Sequence, residues 1–349
     1  MFGGCRGFEP DEHPPDMPGS LSETGNRQIV QISEAYQSAS FPEDDIDSVA
    51  IWHGSEQQHW LIATAKATHR ILIFDASSGA FLRAVGGPGK GLGEYQRPNG
   101  IAVIDSNLVV VERDNHRIQV LKLPDLSPLG RMGSDDLVRP YGLALLPTNE
   151  IFVTDNCDPP ETLEVLNEAL AGLPGGRIKH YTYSINEANG VESKLLAQFG
   201  DTEGSGVLSR VETIAADADN NRLLIADELK KVFKIYSLDG RFTGKIMGEG
   251  VFRYEPEGIA LIRCGNEGYW IACDQEESQS FFRVFDRNSL GYIGTFVGNS
   301  TANTDGVALA QTPFPSFPQG AFFAVHNDSA VSAFDLGEIL SGLDLDCCF

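Results

Sequence analysis

Glu257-Gly258-Ile259-Ala260 decides the fold because it returns. The same order, a polar residue, Gly, an apolar residue and Ala, stands at Asn99-Gly100-Ile101-Ala102, Tyr141-Gly142-Leu143-Ala144 and Asp305-Gly306-Val307-Ala308. Degenerate copies at Ser48-Val49-Ala50-Ile51 and Glu212-Thr213-Ile214-Ala215 bring the total to six. Each copy leads to a second β-rich run that ends in polar residues. These runs are Leu61-Ile62-Ala63-Thr64, Val109-Val110-Val111, Ile151-Phe152-Val153-Thr154, Leu223-Leu224-Ile225-Ala226, Trp270-Ile271-Ala272-Cys273 and Phe322-Phe323-Ala324-Val325. A third, alternating run follows, as in Arg70-Ile71-Leu72-Ile73-Phe74-Asp75, and a turn such as Asp239-Gly240 opens a fourth. Four short strands repeating every roughly 40–50 residues predict an all-β fold, a six-bladed β-propeller.

A strand over 27–32 precedes the first copy. Paired beside the last blade near 330–335, it would close the ring and remove an exposed edge. Residues 1–26, rich in Pro, Gly and acids, read as a disordered or loosely held leader, and 27–349 as one propeller domain. A helix is expected at 161–171, inside the longest insertion, between Asn156 and Arg177.

The chain has 349 residues, 42% of them hydrophobic, enough for a sizeable core. Lys and Arg total 26 against 49 Asp and Glu, a formal net charge of -23. That balance argues against nucleic acid and against an anionic membrane surface, both of which are bound through cations. No apolar run reaches spanning length, so no membrane insertion is expected. The N-terminus lacks the basic start and apolar stretch of an intact signal peptide. The 6 cysteines show no CxxC pairing, so a zinc site is not indicated. Cys264 and Cys273 flank one hairpin without facing each other, and Cys347-Cys348 reads as tail. These cysteines leave the redox compartment open.

In a propeller the first strand of each blade lines a central channel, so residues at one repeat phase form a ring. The residue before each Gly-like position gives Ser48, Asn99, Tyr141, Glu212, Glu257 and Asp305. The residue ending each second strand gives Lys66, Arg113, Asn156, Glu228, Gln275 and Asn327. Along the chain the signs segregate. Lys66, Arg113 and Tyr141 come early, and Glu212, Glu228, Glu257 and Asp305 late. Carboxylates and amides supply the hard oxygen ligands that calcium takes in numbers of about 6–8. Glu255-Pro256-Glu257 offers two carboxylates at i and i+2. The cations suit a phosphate, held by charge-assisted hydrogen bonds.

At these residues the chain resembles the β-propeller phytases, calcium-dependent hydrolases of inositol hexakisphosphate. The resemblance runs from about Ile29 to Asp335. Asp47-Ser48-Val49-Ala50-Ile51-Trp52 resembles the family's opening Asp-Asp-Pro-Ala-Ile-Trp, and Leu61-Ile62-Ala63-Thr64-Ala65-Lys66 its strand ending in a phosphate-binding lysine. Arg113 and Tyr141-Gly142 stand where the family has phosphate-contacting residues, and Glu212 and Glu228 keep the spacing of two calcium-binding glutamates. Glu255-Pro256-Glu257-Gly258 resembles its Asp-x-Glu-Gly. Gly268-Tyr269-Trp270-Ile271-Ala272 through Gln275 resembles its Gly-Tyr-Leu-x-Ala segment, and Asn303-Thr304-Asp305-Gly306-Val307 its Asp-Thr-Asp-Gly-Ile.

The resemblance implies a monomeric, secreted or periplasmic phosphatase that holds more than one Ca2+ and acts on phytate or another small anionic phosphorylated substrate. Asp47, Glu212, Lys66 and Arg113 would be catalytic. Lys66, Arg113, Tyr141, Asn99 and Asn156 would bind substrate. Glu212, Glu228, Glu255, Glu257, Gln275, Asp305 and Asn327 would bind metal.

Departures thin this site. Ala67 replaces a second lysine, Asn156 another, and Asn299 an acid. An acid-rich run shrinks to Asp227-Glu228 followed by Leu229-Lys230-Lys231. Gly86–Ala102 and Arg113-Asp114-Asn115-His116-Arg117-Ile118 also resemble NHL repeats, propeller blades that often only bind. A non-catalytic NHL-like module and a calcium-dependent lactonase are therefore the rival readings. The Lys66 and Arg113 cations argue against the lactonase, whose substrate is uncharged. Gly86-Gly87-Pro88-Gly89-Lys90-Gly91 lacks the Ser or Thr of a phosphate loop and reads as an inter-blade connection. The 7 histidines form no HExxH, and no GxSxG is present. His116 and His326, near the ring, read as solvated rim residues.

Overall fold

A computed structural model describes residues 29–55, 58–156, 176–186 and 190–347. Its strands form six sheets of the propeller kind. Blades one to six begin at Ile46, Pro98, Pro140, Ile214, Glu255 and Val307, and the strands run from the channel outward in chain order, apart from the outermost strands of blades five and six, which come from the N-terminal side. The repeat read from the sequence is thus the blade itself. The leader and the helix expected at 161–171 lie outside the described residues.

The ring closes by a strand from the N-terminal side, though not by the expected segment. Tyr36–Gln37 pairs antiparallel with Ala330–Asp335 and supplies the outer strand of blade six. Ile29–Gln31, which was expected there, instead adds a fifth, parallel strand to Tyr292–Val297 of blade five. Glu34, between the two, caps the joint. Its carboxylate accepts from the backbone N–H groups of Asn299, Ser300 and Thr301.

Burial explains why the middle strands read as continuous apolar runs. Each blade is covered on both faces by its neighbours, so the middle strands are largely buried, while the inner strand Val307–Ala310 alternates and the outer strand Phe81–Gly86 is largely exposed. The core consists of six clusters, each formed between two adjacent blades. Between blades five and six, Phe282, Phe296, Phe322 and Phe334 pack edge-on and offset. Burying each such ring stabilises the fold by about 1.5–3 kcal/mol. A helix, Leu336–Gly342, covers this cluster with Leu336, Ile339 and Leu340. Asp335 caps it by accepting from the Glu338 N–H.

Cys347 is not a free tail residue. It forms a disulfide with Cys264, at the outer end of the innermost strand of blade five. Cys273 is buried and unpaired. Among the described residues no helix is long and apolar enough to cross a membrane.

Candidate functional site at the channel mouth

The inner strands share a local irregularity that builds the site. In blades one, two, three and five the pairing register shifts between Ile46 and Val49, Pro98 and Ile101, Pro140 and Leu143, and Pro256 and Ile259. Such a bulge leaves residues unpaired and re-aims a side chain. The first residue inside each shift is Asp47, Asn99, Tyr141 or Glu257. The true ring is therefore Asp47, Asn99, Tyr141, Glu212, Glu257 and Asp305, and the sequence phase that placed Ser48 in it is off by one. All but Asn99 line the cavity at this mouth, whose volume is about 110 Å³.

Glycine follows the ring residue where a neighbouring backbone closes in. A Cβ on Gly142 would stand 2.1 Å from the Glu212 carbonyl oxygen, and one on Gly306 would stand 2.6 Å from that of Asp47. The Gly306 N–H donates to that same Asp47 oxygen at 2.8 Å. The recurring glycine thus stitches each inner strand to the next.

Asp47 is the hub, with 1% of its surface exposed. Its carboxylate accepts from Tyr141 Oη at 3.0 Å, Asn99 Nδ2 at 3.4 Å and Ser48 Oγ at 2.7 Å. Lys66 Nζ lies 3.2 Å from it, and 3.3 Å from both Asp45 and Asp305. Burial would drive the Lys66 ammonium towards neutrality, but Asp305, Asp47 and Asp45 together hold its pKa well above the usual lysine value. This corrects the expected split into a cationic and an acidic half. Blades one and six are neighbours in the closed ring, so the early lysine sits among early and late carboxylates alike.

Next to this caged lysine lies a group with little compensation. Glu212, Glu228 and Glu257 place one carboxylate oxygen each within 4.8 Å of one another. Glu228 is 2% exposed and its Oε1 has no hydrogen-bond partner. Its nearest cation is Arg210, with Nε 3.8 Å away, and Arg210 is shared with Glu255 at 3.4 Å. Burial and then Asp47 push Glu212 up to about 7. Burial, Glu212 and Glu257 raise Glu228 well above the carboxylate range. Burial, Glu212 and Asp305 do the same to Glu257. Asp305 rises to about 6, chiefly by burial, against the pull of Lys66.

The other expected residues fall as follows. Gln275 Nε2 donates to Asp305 Oδ1 at 2.5 Å. Asn156 Nδ2 donates to Glu212 Oε1 at 3.3 Å while its oxygen accepts from Arg177. Arg113 binds Asp114 at 2.8 Å and is absent from the cavity lining. Asn327 is exposed and turns its amide to His326 Nε2, away from the acids. From that turn it is Asp328 that joins them. Burial and Asp305 push it up to about 7.

Sequence reasoning also missed Arg97 and Arg139. Burial lowers the Arg139 pKa and the guanidinia of Arg113 and Arg97 lower it further, against Asp114 and Glu212, so the three arginines lie near one another and near Glu212, outside the cavity lining. Their signal in the sequence is an Arg-Pro pair at the start of two inner strands, Arg97-Pro98 and Arg139-Pro140.

A hard divalent cation fits the trio. The donors are all carboxylate oxygens, one buried oxygen lacks a partner, and the local charge is in excess. The fold and this mouth define a six-bladed propeller with a carboxylate-lined channel. Residues 44–165 match the family described as 6-bladed beta-propeller. No curated protein matches the chain.

Proposed function

We propose that this mouth is the active site of a calcium-dependent phosphomonoester hydrolase, working as a monomer on phytate or a similarly anionic phosphoester. The observation that carries the reading is the trio of Glu212, Glu228 and Glu257 within 4.8 Å, with Glu228 Oε1 unpartnered. These three would hold the ion, with Glu255, Asp305 and Gln275 around them. Bound there, calcium would supply Lewis acidity, an activated water and a reversal of the local sign.

The chain's own residues account for the rest. Arg113, Arg97 and Arg139 draw the anion to the mouth. Tyr141, kept protonated by burial and by Asp47, would turn its one O–H from Asp47 to a phosphoryl oxygen, beside the second hydrogen of the Asn99 amide. Lys66 pairs with Asp47 at 3.2 Å and fixes its carboxylate at the mouth. The Cys264–Cys347 disulfide supports an oxidising compartment, hence a secreted or periplasmic location.

The test is inorganic phosphate release from phytate in calcium and in chelator. Release that needs calcium, and that falls at least 100-fold in Glu228→Gln, supports the reading. Equal release in both buffers contradicts it.

One set of contacts favours a non-catalytic, cation-binding propeller instead. Lys66, Arg113 and Asn156, expected on phosphate, are each engaged by a carboxylate of the chain. Calcium binding with no phosphate release would select that reading.

A further inference from the structure

The inner strand of blade one has a second chemically distinct end. Asp47 stands at its start, in the mouth, and His53 at its finish. Six residue steps at about 3.3 Å separate them by roughly 20 Å, so His53 lies toward the opposite face. His53 pairs directly with His59 of the next strand. Their Nδ1 atoms are 2.7 Å apart, and both side chains are half-buried. The ring of Phe314, from blade six, packs against both imidazoles at 5.3 and 5.2 Å.

Two nitrogens that close can coexist only if one donates a proton to the other's lone pair, so both are aimed at one point. Burial and then His59 lower the pKa of His53, which favours the neutral ring that metals need.

We infer that His53 and His59 form a bidentate imidazole site for a borderline divalent transition metal, Cu2+, Ni2+ or Zn2+, in which the ion replaces the shared proton. Metal–nitrogen bonds of about 2.0–2.1 Å need the nitrogens about 3.3 Å apart in tetrahedral geometry, which a small rotation of either ring supplies. Imidazole selects these ions over calcium and magnesium, so the site does not compete with the carboxylates at the other mouth. Water fills the remaining positions. His53 Nε2 has no hydrogen-bond partner, so the outer support that tightens resident metal sites is missing on this ring. The site is therefore an exchangeable one. Two nitrogen ligands predict the affinity order Cu2+ above Ni2+ and Zn2+.

The experiment is titration of the metal-stripped full chain with CuCl2, with calcium present to occupy the carboxylates. Electron paramagnetic resonance should show one Cu2+ with nitrogen hyperfine structure from two imidazoles. Affinity should fall at least 10-fold in His53→Gln and in His59→Gln, and stay within two-fold in His116→Gln. Unchanged affinity in both hairpin variants, or no Cu2+ taken up by the parent below millimolar concentration, overturns the site. A check that needs no variant is histidine acylation by diethyl pyrocarbonate, read by peptide mass spectrometry. Cu2+ should protect His53 and His59, and equal labelling with and without the ion overturns the site as well.

Discussion

Asp227 and Glu228 are adjacent in sequence, almost equally buried, and opposite in energetic role. Asp227 belongs to an acid collar repeated around the propeller. It accepts from the Ser209 N–H at 3.1 Å and pairs with Lys234 at 2.8 Å. Glu112, Asp155 and Asp274 occupy the same place, each binding backbone N–H of the loop that enters its blade and a cation of the third strand, Arg117, Lys179 or Arg283. Glu228 belongs to the channel trio, where a neighbouring carboxylate stands in the place of a cation. In each of these blades the first residue of the polar pair stabilises the blade, and in blade four the next residue is a second acid, left costly. A costly, clustered, buried charge is the feature that calls for a ligand.

The largest effect should come from breaking the collar. Asp274→Asn removes the charge that pairs the buried Arg283 guanidinium and turns an amide donor towards it, leaving one oxygen for the Arg253 and Tyr254 N–H groups. A loss of about 3–5 kcal/mol is expected in urea unfolding, with or without calcium. The trio should behave in the opposite way. Calcium at 100 times its dissociation constant should stabilise the parent by about 2.7 kcal/mol and Glu228→Gln, which binds at least 10-fold more weakly, by no more than about 1.4 kcal/mol. In chelator Glu228→Gln should be the more stable of the two near neutral pH, by about 1 kcal/mol or more, because the cost of burying and neutralising that carboxyl is gone. A loss of stability in chelator would place Glu228 in the collar instead.

Gly142→Ala tests the stitching between inner strands. Its Cβ would meet backbone, not a movable side chain, so about 1–3 kcal/mol should be lost along with calcium affinity, since Glu212 must shift.

The smallest effect concerns Glu34, a carboxylate stabilised by N–H groups with no cation. Burial alone would raise its pKa, but Thr301 and the backbone of Ser300 and Asn299 bring it down to about 2 from 4.5. Its contribution is therefore complete above pH 4.5 and is lost as the pH falls towards 2. After screening it amounts to on the order of 1–2 kcal/mol. Glu34→Gln should flatten the acid limb of a pH–stability curve over that window, and an unchanged limb would show that the N-terminal strap does not help to close the ring.

The blades were legible because a propeller repeats its packing problem. Each Gly–apolar–Ala copy must pass a neighbour's backbone, and each middle strand must be apolar on both faces. What escaped was set by contacts between distant segments. Ring closure by Tyr36–Gln37 depends on two short pairings that carry no periodicity. The disulfide joins residues 83 apart, and the pairing of Cys264 with Cys347 follows only from where the last helix lies. Most of the site was legible as residue types at one phase. The bulge that moves Asp47 into the ring and Ser48 out of it was not, since register shifts leave no mark on composition. The caging of Lys66 was hidden for a related reason, as chain order separates blades one and six where the ring joins them.

The claim on which the rest depends is that Glu212, Glu228 and Glu257 hold a divalent cation. Isothermal titration of the chelator-stripped chain with calcium chloride tests it directly. The account predicts saturable binding in the parent and a loss of at least 10-fold in affinity in Glu228→Gln, with Asp114→Asn, outside the trio, binding as the parent does. Binding of equal affinity in the parent and in Glu228→Gln would contradict it.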